Sequence, residues 1–114
     1  IASCLVGSEM CIETDPANYS GFHLYPIQLT ADSGKTRKQV FDSLRAQNIG
    51  VNVHYIPVHT QPYYAKLGFK QGDFPHAERY YAQAISLPLY YDLSEASQTQ
   101  VVDALKIALA QALT

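Results

Sequence analysis

The sequence predicts an α+β domain in which helices cover one face of a short sheet. Three observations predict it. Strand-like and helix-like patterns alternate along the chain, Pro26 and Pro88 interrupt the strand-like runs around them, and a long amphipathic pattern closes the sequence. Proline is confined to sheet edges and bulges, so strands broken in this way do not build a doubly wound parallel sheet. The 114 residues suit one domain, and no internal repeat or Gly/Ser-rich linker divides them.

The first twenty residues carry no clear period, and Asp15-Pro16-Ala17-Asn18 reads as a turn. Phe22 to Leu29 alternates aromatic and aliphatic side chains as a strand does, with Pro26 marking an edge or a bulge. After a polar connection at Thr30 to Gly34, Lys35 to Asn48 reads as a helix with Val40, Phe41 and Leu44 on one face. Gly50 stands where a left-handed cap residue is expected. Val51 to Ile56 is the second predicted strand, Pro57 to Gln61 a turn, and Pro62 the first residue of a short helix to Leu67, ended by Gly68. Gln71-Gly72-Asp73 turns the chain again. Pro75 to Ala84 is a predicted helix with Ala77, Tyr80, Tyr81 and Ala84 inward.

Ile85 to Leu89 is the third predicted strand, broken by Pro88. Ser94 suits an N-cap and Glu95 the positive end of a helix dipole. Val101, Val102, Leu105, Ala108, Leu109 and Ala112 then give the clearest amphipathic period in the chain.

Composition excludes several classes. Hydrophobic residues make up 47% and charged ones 16%, which marks a packed domain rather than a disordered tail. A net charge of −2 and only five lysines and three arginines leave no footprint for nucleic acid. Lys35, Arg37 and Lys38 form a single cluster at a helix start, a solvated face. Cys4 and Cys11 fit neither a zinc knuckle nor a disulfide framework, so reduced thiols and a cytoplasmic location are expected. No apolar run reaches the length of a membrane span. The Ile1 to Gly7 run lacks the basic lead-in of a signal peptide. A sequence that does not begin with Met is expected to be a piece of a longer protein.

The most informative stretch is Asn52-Val53-His54-Tyr55-Ile56-Pro57-Val58-His59-Thr60-Gln61-Pro62-Tyr63-Tyr64. Two histidines and three tyrosines lie in or beside a turn whose prolines set the backbone direction. Imidazoles and phenols bond phosphates, hydroxyls and carboxylates, so the run reads as one wall of a binding site. A metal is not expected. His54 and His59 are five apart, with His23 and His76 elsewhere, and neither cysteines nor carboxylates supply a third ligand at a recognisable spacing. There is no Gly-x-Ser-x-Gly elbow and no phosphate-binding glycine loop. Tyr80 and Tyr81 read as half-buried packing, whereas Tyr90 and Tyr91 suit either packing or a site.

Three stretches in order resemble the C-terminal domain of DegT/StrS-type sugar aminotransferases. They are His23-Leu24-Tyr25-Pro26-Ile27, Gly50 to Tyr64, and Ala84-Ile85-Ser86-Leu87-Pro88-Leu89. Lys66-Leu67-Gly68-Phe69 and Gly72-Asp73-Phe74-Pro75-His76-Ala77-Glu78 sharpen the likeness, towards the branch that aminates a UDP-linked 4-keto-6-deoxy sugar on the way to pseudaminic acid. The resemblance covers about Ser20 to Leu113. It divides the chain into an unassigned segment, 1–19, and an aminotransferase small domain, 20–114.

The resemblance implies the small domain of a fold-type-I enzyme that depends on pyridoxal phosphate and takes its amino group from glutamate. In that family a large domain carries the cofactor-holding lysine, the aspartate at the pyridine nitrogen and most phosphate contacts. Lys35, Lys38, Lys66, Lys70 and Lys106 do not sit in the family's lysine motif, so no catalytic or cofactor-binding residue is assigned. Transamination needs the cofactor's electron sink, so the chain is expected to be inert by itself. Its implied part is to close over the cofactor cleft and help position the UDP-sugar. On this likeness His54 and His59 are the first substrate-binding candidates, as donors to the sugar or its diphosphate. Tyr63 and Tyr64 come next, then His23 and Tyr25. The implied partners are the missing large domain and a second copy, since family enzymes are typically homodimers. The alternative is a stand-alone, non-catalytic binding module with the same fold.

Overall fold

In a computed structural model of the chain, the structure describes residues 23–110. The Asp15–Asn18 turn, Cys4 and Cys11, the apolar run 1–7, Phe22 and Ala112 lie outside the described residues.

The element order is β1 (Tyr25–Gln28), α1 (Arg37–Ala46), α2 (Pro62–Lys66), α3 (Pro75–Gln83), β2 (Ala84–Leu87) and α4 (Glu95–Ala110). Single 3₁₀ turns at Ala31–Ser33 and Val58–Thr60 join them. The strands pair antiparallel, with Tyr25 opposite Leu87 and Ile27 opposite Ile85. On the other side of β2, Asn52 and Ser86 exchange backbone hydrogen bonds of 3.1 and 2.8 Å. β2 is therefore flanked on both sides and all four of its residues are buried. This is the short sheet with helical cover that the sequence predicts.

Side chains alternate across a strand, so Ile27, Ile85 and Leu87 share one face of the sheet. They meet Val40 and Leu44 of α1 and Val101, Ala104, Leu105 and Ala108 of α4 in one apolar core. α1 begins in a capping box: Thr36 Oγ1 accepts from the Gln39 amide, and Gln39 Oε1 accepts from the Thr36 amide. That box starts the helix at Arg37 rather than Lys35. At the other end, the Ile49 amide donates to the Leu44 carbonyl and the Asn48 amide to the Arg45 carbonyl. This is the Schellman pattern, and it places Asn48 at φ 60°, so the left-handed cap is Asn48 and not Gly50. Asparagine tolerates that conformation because its short amide bonds locally.

Three further expectations are corrected. Val51 to Ile56 is not a strand: pairing stops after the Asn52 bridge, and Pro57, which lacks an N–H, leads into the next turn. α3 buries none of its residues. Ala77 is exposed, Tyr80 and Tyr81 are half-buried, and Ala84 belongs to β2, because α3 passes straight into that strand without a loop. The third strand ends at Leu87, before Pro88. In α4, Ala104 faces the core, a position the predicted period omitted, and Ile107 faces solvent. Ser94 caps α4 as predicted, its Oγ accepting from the Ser97 amide at 3.2 Å.

Removing a fully buried side chain at the centre of this packing has a predictable cost. Ile85→Ala should destabilise the chain by about 2–5 kcal/mol and Thr36→Ala by about 1 kcal/mol. Urea midpoints at unchanged m-value measure both, and an Ile85→Ala variant as stable as the parent would contradict the core described above.

Candidate functional site

β2 builds the site from its solvent side. Ser86 points away from the apolar core, yet only 4% of it is exposed. A buried hydroxyl needs a partner, and it has one: Ser86 Oγ lies 2.8 Å from His54 Nδ1. Residues opposite one another in an antiparallel pair share a face, so Asn52 stands on the Ser86 side while Val51 is buried in the core. The same alternation brings His54, two residues on, over Ser86. Around this pair opens a groove of about 460 Å³, whose other polar lining includes His23, Asn48, Ser97 and Gln100. Leu89 and Tyr90 add apolar wall.

His59 lies elsewhere. It is buried, and its Nε2 is 2.8 Å from Glu78 Oε1 on α3. A carboxylate only accepts, so Nε2 carries the proton in this pair. The same Glu78 oxygen accepts from the Gly72 amide at 2.7 Å. The Gly72 amide first, and the His59 imidazole second, hold the Glu78 carboxyl below its ordinary pKa of 4.5. Glu78 thus ties the Val58–Thr60 turn and the Gly72 turn to one helix.

Above that latch sits an arm of aromatic side chains. The His59 and Phe74 rings are 4.8 Å apart, Phe74 and Phe69 6.0 Å, Phe69 and Tyr64 6.3 Å, and Tyr64 and Tyr63 5.3 Å. The chain gives these rings little cover. Tyr55, Ile56, Val58, Tyr63, Tyr64, Leu67, Phe69 and Phe74 are all exposed.

The six sequence candidates therefore fall on separate surfaces. His54 and His23 line the groove. Tyr25 packs against the core and lines an adjoining apolar recess with Tyr90 and Tyr91. His59 and Tyr64 line an apolar hollow under the arm, and the Tyr63 ring meets Tyr64 edge-on. Sequence reasoning did not single out Ser86, Asn52, Gln100 or Glu78. For Ser86 a signal existed, a lone hydroxyl inside the apolar run Ala84–Leu87. Glu78 had none, since its partners lie 6 and 19 residues away.

The sequence model of the DegT/DnrJ/EryC1/StrS aminotransferase family matches residues 4–106. The chain belongs to this family. It is 42% identical over 88 residues to the spore coat polysaccharide biosynthesis protein SpsC of Bacillus subtilis, a match covering 75% of this chain and 23% of SpsC. Among solved structures it superposes with a TM-score of 0.68 on PseC of Helicobacter pylori, an aminotransferase involved in the biosynthesis of pseudoaminic acid. That match has 29% identity and covers 76% of this chain and 23% of PseC. Spr1654 of Streptococcus pneumoniae, a candidate sugar aminotransferase solved in its PMP form, gives the same TM-score at 27% identity, over 76% of this chain and 22% of Spr1654. The chain spans less than a quarter of the length of these relatives.

The side chains of the groove do not fit the family's phosphopyridoxal cofactor by themselves. Among the described residues, the lining includes no lysine to hold an aldehyde and no carboxylate to face a pyridine nitrogen. Among the described residues, Lys38 and Lys106 are paired with Asp42 and Asp103 on helix surfaces. No group of three or more His, Cys, Asp or Glu side chains among them could hold a metal ion, and no helix among them is long and apolar enough to cross a membrane.

The Glu78 latch has a pH signature. Its folded pKa is depressed, so its contribution to stability is complete above the ordinary value of 4.5 and is lost as pH falls through the folded value. Carboxyl-carbon NMR should show Glu78 titrating below the ordinary value of 4.5, and His59→Phe should move it upward. An unmoved titration would mean that the pair does not form in solution.

Proposed function

We propose that this chain is the C-terminal small domain of a pyridoxal phosphate-dependent nucleotide-sugar aminotransferase, with residues 20–114 forming that domain. The reaction proposed for the whole enzyme transfers an amino group from glutamate to a UDP-linked 4-keto-6-deoxy sugar, in a cytoplasmic pathway of the pseudaminic acid type. The observation that carries this reading is the likeness of the described fold to PseC, over most of this chain but under a quarter of PseC. The groove chemistry agrees with that division of labour. Pyridoxal phosphate, when bound to an intact family enzyme, supplies the electron sink that amino transfer requires. This chain's residues have a different task, which is to bind and orient substrate.

In that role His54 is the first substrate-binding residue, with His23 beside it in the groove. The Ser86 hydroxyl fixes the His54 ring through Nδ1, and Nε2 takes no partner among the described residues. His59 acts through position, because Glu78 occupies its Nε2 and the pair holds the turn that carries the aromatic arm. Tyr63 and Tyr64 stand on that arm, and Tyr25 lies at the edge of the neighbouring recess. The arm leaves Tyr63, Tyr64, Leu67, Phe69 and Phe74 exposed close together, as interaction surfaces do. We assign it to contact with the large domain of the intact enzyme, with or without a second copy.

Two measurements test the reading. Incubation of the 114-residue chain with pyridoxal phosphate, borohydride reduction and intact-mass analysis should give no stoichiometric adduct; a single adduct on one lysine would show a cofactor site of its own. Grafted in place of the matching segment of PseC, the chain should support amino transfer. His54→Ala in that graft should lower kcat/KM for the sugar nucleotide roughly 10-fold. An inactive but folded and cofactor-loaded graft would remove the aminotransferase assignment.

A further inference from the structure

The backbone of Ser86 is held from both sides. Its amide and carbonyl both bond Asn52, at 2.8 and 3.1 Å, and on its other flank it stands opposite Pro26 of β1. In an antiparallel pair both backbone groups of a residue point to the same neighbour, so the N–H that Pro26 lacks is not needed there. The hydroxyl is thus carried on a fixed backbone at a buried position. Its one partner among the described residues is His54 Nδ1, at 2.8 Å. A strand offers no carbonyl from a preceding turn, the acceptor that a helical serine uses.

That single contact decides which way the hydrogen bond runs. A hydroxyl has one hydrogen to donate and two lone pairs to offer. If His54 Nδ1 donated, the Ser86 hydrogen would be buried without an acceptor, at the full desolvation cost of an unmade bond. If the hydroxyl donates, only an oxygen lone pair goes unused, which proteins tolerate more readily. Nδ1 is then the bare nitrogen of neutral His54, and Nε2 carries the proton. The ring lines the groove, and Nε2 has no partner among the described residues.

We propose that Ser86 is a positioning residue: its hydroxyl donates to His54 Nδ1 and so makes neutral His54 a hydrogen-bond donor, through Nε2, to a ligand in the groove. The ligand atom that meets it is an acceptor, a hydroxyl, carbonyl or phosphoryl oxygen. An ammonium or amide N–H finds no lone pair at Nε2. Because the bond to Ser86 orders the imidazole before a ligand arrives, part of the ordering cost of binding is already met. The role in turnover rests on the substrate-binding reading of His54 above; the placement of the proton does not.

Long-range ¹H–¹⁵N correlation spectra of the imidazoles, recorded on the 114-residue chain at a pH where they are neutral, test the proton placement directly. His54→Gln identifies the His54 signals by their loss, and His59, whose Nε2 donates to Glu78, is the reference for an Nε2–H ring in the same spectrum. His54 should show Nε2 protonated and Nδ1 bare. Ser86→Ala should move both nitrogens towards a mixture of the two forms, and Ser86→Thr, which keeps a hydroxyl on the strand, should restore the parent pattern. In the PseC graft, Ser86→Ala should lower kcat/KM for the sugar nucleotide towards the roughly 10-fold loss of His54→Ala, and Ser86→Thr should recover most of it. The double variant should be no worse than His54→Ala alone, since Ser86 acts through that ring. A proton on Nδ1 of the parent chain, a tautomer indifferent to Ser86→Ala, or losses that add in the double variant would each overturn the proposal. An active graft with the proton on Nδ1 places the fault here alone. A folded, cofactor-loaded but inactive graft beside an Nε2–H ring places it in the aminotransferase reading.

Discussion

The structure depends on the burial of Ser86 in the middle of β2. A strand with a partner on each side is cut off from water, and every polar group on it must be satisfied within the protein. The Ser86 backbone is satisfied by Asn52, and its hydroxyl by His54. Those two demands fix the path of the chain from Val51 to His54 more firmly than local strand propensity does. They also explain why a segment that never becomes a strand still keeps strand-like alternation, with Val51 buried in the core and Asn52 and His54 towards the groove. An apolar residue at position 86 would fill the volume and leave the histidine without a fixed direction.

Glu78 does a parallel task for the second surface. The residues from Tyr55 to Phe74 contribute nothing to the apolar core apart from the cover that His59 and its neighbours give one another. Two short turns and a five-residue helix have too few internal contacts to hold a row of exposed rings in place. A single carboxylate oxygen that accepts from both His59 and Gly72 ties both turns to α3. Arg37 anchors the far end of that helix, donating to the Tyr81 carbonyl at 2.7 Å and lying over the Tyr81 ring. The arm is thus built from polar latches rather than from buried apolar area, which suits a surface whose apolar side faces outward.

Legibility in the sequence followed the range of the interactions concerned. α4, the start of α2 at Pro62 and the cap at Ser94 rest on contacts within one or two turns, and the sequence pattern shows them. Val51 to Ile56 has the composition of a strand, whereas its pairing depends on how far β2 extends beside it. Glycine is the common left-handed residue, which points to Gly50, while the hydrogen bonds of α1 end two residues earlier and place Asn48 there. The predicted inward face of α3 rests on periodicity alone. Periodicity identifies which residues lie together on a helix and does not say whether another element covers them.

The candidate site divides in the same way. The run from His54 to Tyr64 reads as one polar, aromatic wall in the sequence, but Pro57 and the Val58–Thr60 turn send its two halves to different surfaces. The first half joins residues from β2 and α4 in a polar groove; the second joins residues from α3 in an apolar arm. One small domain therefore presents two separate surfaces, a polar groove held by Ser86 and an aromatic arm held by Glu78. On the proposed reading the groove meets substrate and the arm meets the rest of the enzyme. Separate anchors on β2 and α3 then allow either surface to be engaged without breaking the hydrogen bond that holds the other.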